Sequence, residues 1–171
     1  KKWLVLDLDE TLIHSTSKGS KNCDHMVEVL MDKHAALYYV YKRPHVEYFL
    51  NKVGEWYKLA IFTASMSEYA NAVIDLLDPD HSLIKVRLYR ESCIAHEDKG
   101  YIKDLSLIES DLSQVLLIDN SPRAFEKHPN NSVVIQSWYN QDAHDQALLD
   151  LLPFLDALRF TNDVRSILSF R

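Results

Sequence analysis

The chain has 171 residues, 47% of them hydrophobic, enough to bury one substantial core as a single domain. Its formal net charge is -6, from 25 acidic against 19 basic side chains, which argues against a binder of nucleic-acid backbone, since that needs a basic excess. No apolar run approaches the ~20 residues that span a bilayer, and Cys23 and Cys93 fall outside any zinc-ligand spacing and read as free thiols.

Taken in order, Trp3 to Leu8 is a short apolar run closed by acids, the pattern of a strand buried on both faces of a parallel sheet. It starts flush with the first residues, with no signal peptide and no initiating Met, so a fragment of a longer protein is expected, any anchor lying upstream. Thr16 to Asn22 is polar and suits a loop. Val27 to Leu30 and Leu37 to Tyr41 read as a hairpin turning over Met31 to Ala36. Val46, Phe49, Leu50, Val53 and Tyr57 have helical spacing, with Pro44 expected in the first turn. Lys58 to Thr63 is a second buried strand. Ser67 to Leu77 is a helix with Ser65 or Ser67 as its expected cap, ended by Pro79.

Val86 to Tyr89 is strand-like, and Cys93 to Tyr101 alternates weakly around the expected turn Asp98-Lys99-Gly100. Val115 to Asp119 and Ser132 to Ile135 are further buried strands. The tail is helical from Ala143 to Leu158, with a short helix over Asp163 to Phe170. This alternation predicts an α/β fold, a doubly wound parallel sheet with right-handed crossovers, in which ligands sit beyond the carboxyl ends of the strands. Asp7 and Asp9, Thr63 and Asp119 all fall at that edge.

In Asp7-Leu8-Asp9-Glu10-Thr11, residues i and i+2 point the same way, so two carboxylates share one face. They repel unless a cation stands beside them or one holds a proton. A lone pair of this kind is more often a turn cap. The order of acid pair, Thr63, Lys103 and Asp119-Asn120 along the chain is more specific. It places a nucleophile, a proton donor, phosphate ligands, a cation for the transition state and hard oxygens for magnesium in one sequence.

These elements resemble the motifs of the haloacid-dehalogenase superfamily, and DLDETL is similar to the version in the carboxy-terminal-domain type protein phosphatases. The resemblance runs from Lys2 to about Leu168 and includes KRPHVEYFL, FTAS, YRESC, YIKDLS and IDNSP. FTASMSEYANAVIDLLDP and LLPFLDALRFTNDVRSIL look most like the Dullard branch of nuclear envelope phosphatases. The resemblance implies a Rossmannoid sheet and a magnesium-dependent protein serine/threonine phosphatase. Asp7 would be the nucleophile and Asp9 the acid and base, with its carbonyl on the metal. Thr63 and Lys103 would hold the phosphoryl group, while Thr11, Ala64, Ser65 and Arg90 would contact substrate. Asp7, Asp9, Asp119 and Asn120 would form the metal site, either of the last two being the direct ligand.

The same branch implies a lipin-type phosphatidate phosphatase as substrate and a small membrane-bound regulatory subunit as partner. It also implies a place on the cytosolic face of the nuclear envelope and endoplasmic reticulum. Independently of it, the ~50 residues between Thr11 and Thr63 and the ~40 between Thr63 and Lys103 leave room only for a hairpin and a strand insert around Val86 to Tyr101, not a large cap domain. That favours a protein substrate over a small metabolite; a non-catalytic docking module is the third alternative. The eight histidines show no paired metal spacing, and the Tyr38 to Tyr41 cluster reads as sheet packing. The apolar tail reads as core cover, with a partner surface expected among Phe154, Leu158, Phe160, Ile167 and Leu168.

Overall fold

The computed structural model describes residues 1–19, 22–98 and 100–170. Along them run β1 (Trp3–Leu6), β2 (Ile13–Thr16), β3 (His25–Met31), β4 (His34–Lys42), α1 (Val46–Trp56), β5 (Lys58–Phe62), α2 (Ser67–Leu77) and β6 (Ile84–Leu88). There follow β7 (Ile94–Ala95), β8 (Tyr101–Ile102), β9 (Val115–Asp119), β10 (Ser132–Val134), α3 (Ala147–Leu158) and α4 (Arg165–Leu168). Ser20 and Lys21 of the expected loop, and Lys99 of the expected turn, lie outside the described residues.

Five strands form one parallel sheet in the order β10-β9-β1-β5-β6. From β1 the chain winds outward through β5 to β6, then crosses back to β9 and winds the other way to β10. The order therefore reverses between β1 and β9, where an α/β sheet opens its crevice. Strand alternation divides the core in two. Leu4, Leu6, Leu59, Ile61, Leu116 and Ile118 face the buried sides of α1, α2 and α3. Val5, Ala60, Phe62, Val115 and Leu117 face Leu105, Ala124 and Phe125, which lie in short 3-10 turns.

The register sets up the site. Leu6 pairs with Ile61 on one side and Ile118 on the other. One residue further, Asp7 and Asp119 fall in the same row of adjacent strands, and Asp7 N–H extends the ladder to Ile118 O at 3.0 Å. Both side chains take the direction of Val5 and Leu117, toward the face built by the 3-10 turns.

Several boundaries differ from the sequence reading. The short polar segment Ile13–Thr16 pairs with β4 and makes the hairpin a three-stranded antiparallel sheet, β2-β4-β3. The hairpin itself is longer than expected, its partners extending to Met31 and His34. β6 belongs to the central sheet, so the strand insert reduces to the pair β7–β8. Pro44 precedes α1: the left-handed His45 (φ 70°) intervenes and the helix begins at Val46. Neither Ser65 nor Ser67 caps α2. Met66 stands at the cap with no side-chain bond, and the Ser65 hydroxyl is drawn to Asp9. In the tail, Leu158 and Leu168 are core residues and Phe154 packs against the core, while Phe160 is 74% and Ile167 41% exposed.

A buried ion pair fastens the loops behind the site. Arg43, 1% exposed, bonds both oxygens of Asp145 (Nε to Oδ2 2.7 Å, Nη2 to Oδ1 3.1 Å). It also donates to Thr11 O at 3.0 Å and Gln136 O at 2.9 Å, tying the loop after β1 to the segment after β10. Removing one member of such a pair strands the other charge in the core. Asp145→Ala is expected to cost about 3 kcal/mol in a denaturant melt, and adding Arg43→Met to recover part of the loss.

Candidate active site

Where the sheet order reverses, three largely buried ionisable side chains meet at the floor of a cleft. Lys103 Nζ donates to Asp7 Oδ1 at 2.9 Å and to Asp119 Oδ2 at 2.6 Å. Asp7 is 6%, Lys103 3% and Asp119 1% exposed. Lys103 comes from just beyond β8, its main chain fixed by Lys103 N–H to Ala124 O (3.1 Å), with its ammonium 6.0 Å from the Phe62 ring centre. Burial opposes its charge, but Asp7 and Asp119 together outweigh that and hold the ammonium above its usual value. Burial, then the charge of Asp7, pushes the Asp119 carboxyl up.

The rest of the carboxylate geometry is set by neutral groups. Thr11 Oγ1 donates to Asp7 Oδ2 at 2.9 Å, and Ser121 N–H to Asp119 Oδ1 at 2.9 Å. Thr11, expected as a substrate contact, is fully buried and lies beneath Asp7, so it orients that carboxylate instead. The amide of Asn120 fits two ways, as amides do. With nitrogen inward it donates to Asp7 Oδ2 (2.8 Å) and Asp119 Oδ1 (3.3 Å) and accepts from Ser137 Oγ. With oxygen inward it donates to Ser137 Oγ at 2.8 Å and turns a third oxygen toward the two carboxylates.

That oxygen set bears on a metal. Among the described residues no three His, Cys, Asp or Glu side chains are grouped so as to hold an ion by themselves. Magnesium does not ask for such a cage: it takes one or two carboxylates and fills its octahedron with water and substrate phosphate. Asp7, Asp119 and Asn120 supply a set of that size. The Asp9 carboxyl turns elsewhere, accepting from Ser65 Oγ (2.6 Å) and Tyr69 OH (2.7 Å), and burial pushes it up. Only the main-chain carbonyl of Asp9 is left to join the metal set.

A cleft of about 480 Å³ opens above these groups, lined among others by Asp7, Asp9, Thr63, Arg90, Tyr101 and Lys103. Thr63 is buried, its Oγ1 accepting Ser65 N–H at 3.0 Å. Ala64 contributes its carbonyl to Arg90 Nε (2.6 Å), and Arg90 N–H bonds Ser65 O (3.1 Å). The guanidinium of Arg90 lies 5.3 Å from the Tyr101 ring centre, so backbone and ring together hold it at the cleft. Tyr69, Ser15 and Tyr101 are site residues that the sequence reading missed. Tyr69 sits at an apolar position of α2 and carries no signal of its own; Tyr101 adjoins the expected Lys103 segment.

A class follows from fold and site together: a Rossmannoid phosphatase of the haloacid-dehalogenase type. Residues 2–165 match the NLI interacting factor-like phosphatase family, and the chain belongs to that family of phosphoprotein phosphatases. It is 51% identical to CTD nuclear envelope phosphatase 1 of Xenopus tropicalis, over 99% of this chain and 72% of that protein. It is 52% identical to the Drosophila melanogaster homologue of the same protein, over 99% and 72%. With the human CTD small phosphatase-like protein the identity is 46%, over 98% and 60%. The fission yeast RNA polymerase II CTD phosphatase Fcp1 bound to beryllium fluoride has the same fold, with a TM-score of 0.70 at 21% identity, covering 99% of this chain and 54% of that one.

The loop carrying Lys103 is braced by its neighbour. Asp104 accepts from Lys127 Nζ (2.7 Å), pairs with His128 Nε2 (3.0 Å) and caps the next turn through Ser106 N–H (3.0 Å). Burial would raise its carboxyl, but these donors hold it well below the usual carboxylate range. Because the folded value is depressed, the stabilisation is complete above the unfolded value of about 3.9 and fades as pH falls below it. Solvent reaches this cluster, so Asp104→Asn is expected to cost only about 1 kcal/mol at neutral pH, a difference that closes in acid melts.

Proposed function

We propose that Asp7 is the nucleophile of a magnesium-dependent protein serine/threonine phosphatase, working through an aspartyl-phosphate. The observation that carries this reading is the buried Asp7–Lys103–Asp119 bridge at the point where the sheet order reverses, with Asp9 beside it at the cleft. Lys103 and Thr11 fix the plane of the Asp7 carboxylate. An Asp7 oxygen bonds to phosphorus, the bond from phosphorus to the seryl or threonyl oxygen breaks, and Asp9 gives that oxygen its proton. Asp9 then takes a proton from water as the water oxygen attacks phosphorus and the Asp7–phosphorus bond breaks. Thr63 and Lys103 hold the equatorial oxygens through both steps. Asp7, Asn120, the Asp9 carbonyl and Asp119, directly or through water, would hold magnesium, whose charge would shield the phosphate dianion from the carboxylates.

The flanking elements support an extended phosphopeptide as substrate. The cleft is lined by Ser15 of the three-stranded β2-β4-β3 sheet and by Tyr101 of the two-stranded β7–β8, and neither insert has the size of a cap domain. Arg90, which lines the cleft, would meet the substrate's phosphate or backbone. By likeness to nuclear envelope phosphatases, we assign this chain a lipin-type phosphatidate phosphatase as substrate and the cytosolic face of the nuclear envelope and endoplasmic reticulum as its place of work. No helix among the described residues is long and apolar enough to cross a membrane. A small membrane-bound regulatory subunit would meet the exposed tail at Phe160, Ile167 and Phe170.

Asp7→Asn should abolish turnover of p-nitrophenyl phosphate and phosphopeptides while leaving the melting curve essentially in place, because an amide is a poor nucleophile. Substantial activity in the purified variant would refute the assignment. A chelator should remove the activity and magnesium restore it, whereas zinc should not, since no cysteine or histidine lies among the proposed ligands. Full turnover in excess chelator would count against the metal role.

A further inference from the structure

Asp9 is held by a chain of hydroxyls that the reading above leaves unexplained. Ser65 Oγ donates to its Oδ2 and Tyr69 OH to its Oδ1. Tyr69 OH lies in turn 2.6 Å from Ser15 Oγ. Tyr69 is on the buried face of α2, 9% exposed, with its ring edge-on to that of Tyr38 at 5.1 Å between centres. Ser15 belongs to β2 and Tyr38 to β4. The small antiparallel sheet that flanks the cleft therefore fixes the hydroxyl that fixes Asp9.

The chemistry of hydroxyls gives this chain its use. Each can donate or accept, and rotates to suit. When Asp9 is a carboxylate, Tyr69 and Ser65 both donate to it, and Ser15 can donate to Tyr69. When Asp9 carries its proton on Oδ1, Tyr69 accepts that proton's hydrogen bond and turns its own toward Ser15. A group that gives a proton in one step and takes one in the next keeps the same partners and orientation throughout. An apolar neighbour would leave Oδ1 unpaired in both states, and a neighbour that only donates would fail the protonated one.

The geometry points to Tyr69 as a positioning residue for proton transfer at Asp9, anchored by Ser15 and Tyr38. The inference rests on the reading of Asp9 as acid and base. As Asp7 bonds to phosphorus, the electron pair of the breaking bond passes to the leaving oxygen and the Asp9 proton follows it. The better the leaving group bears that charge unaided, the less Tyr69 matters.

The experiment measures kcat/KM for wild type, Tyr69→Phe and Ser15→Ala on substituted phenyl phosphates whose phenols rise in basicity from p-nitrophenol to phenol. This parameter reports the steps through transfer to Asp7, and the small substrates exclude peptide docking. Tyr69→Phe keeps the ring and its contact with Tyr38. Its loss should be small on p-nitrophenyl phosphate and grow to about tenfold or more on phenyl phosphate, a part of what a general acid contributes. Ser15→Ala should show the same trend, weaker, and carries the test if Tyr69→Phe does not fold. A loss uniform across the series marks a merely structural role and overturns the inference, as does no loss at all. A wild-type protein inactive on every member overturns the phosphatase reading itself, a result distinct from either.

Discussion

The site depends on a single buried cation. Asp7 and Asp119 stand in one row of adjacent parallel strands because the register puts them there, and two carboxylates so placed out of water repel strongly. The Lys103 ammonium between them makes the arrangement tolerable, since the cost of an unpaired buried charge is several kcal/mol. In the proposed mechanism the same arrangement would serve phosphoryl transfer, with a carboxylate held in a fixed plane and a positive charge that need not reorganise as the phosphoryl group spreads its own. On that reading stability and chemistry make one demand on Lys103.

The scaffold serves that bridge from three directions. The sheet sets the spacing of the acids, the turns beyond β8 and β9 deliver Lys103 through its bond to Ala124, and Arg43 locks the loop that carries Thr11. Asp9 belongs to a different environment. It faces α2 and the antiparallel sheet, and its partners are hydroxyls where those of Asp7 are a hydroxyl and an ammonium. Two acids two residues apart thus receive different surroundings, the condition for giving them different roles.

Much of this was legible in the sequence because buried parallel strands write themselves as apolar runs. β1, β5, β9 and β10 were visible as such, and the acids that close the first and third marked the edge where the site lies. Lys103 was identified by its order among the motifs, since a lysine after a two-residue strand has no periodicity to betray it. What escaped was set by tertiary pairing. Ile13–Thr16 is too short and polar to read as a strand until β4 lies beside it, and β6 looked like part of an insert until its pairing with β5 placed it in the central sheet. Thr11 was misplaced among the substrate contacts because its burial beneath Asp7 has no local signature. Tyr69 was hidden for the opposite reason: its ring satisfies the apolar pattern of α2, and only the fold reveals where its hydroxyl points.

The central claim is that Asp7 itself carries the phosphoryl group between the two steps. The most direct measurement is a rapid acid quench of the protein mixed with a radiolabelled phosphopeptide, followed by mapping of any label that stays on the chain. The account predicts a transient acyl-phosphate on the peptide containing Asp7, appearing before free phosphate and absent from Asp7→Asn. Phosphate released at full rate with no labelled protein at any time, or label on another side chain, would contradict it.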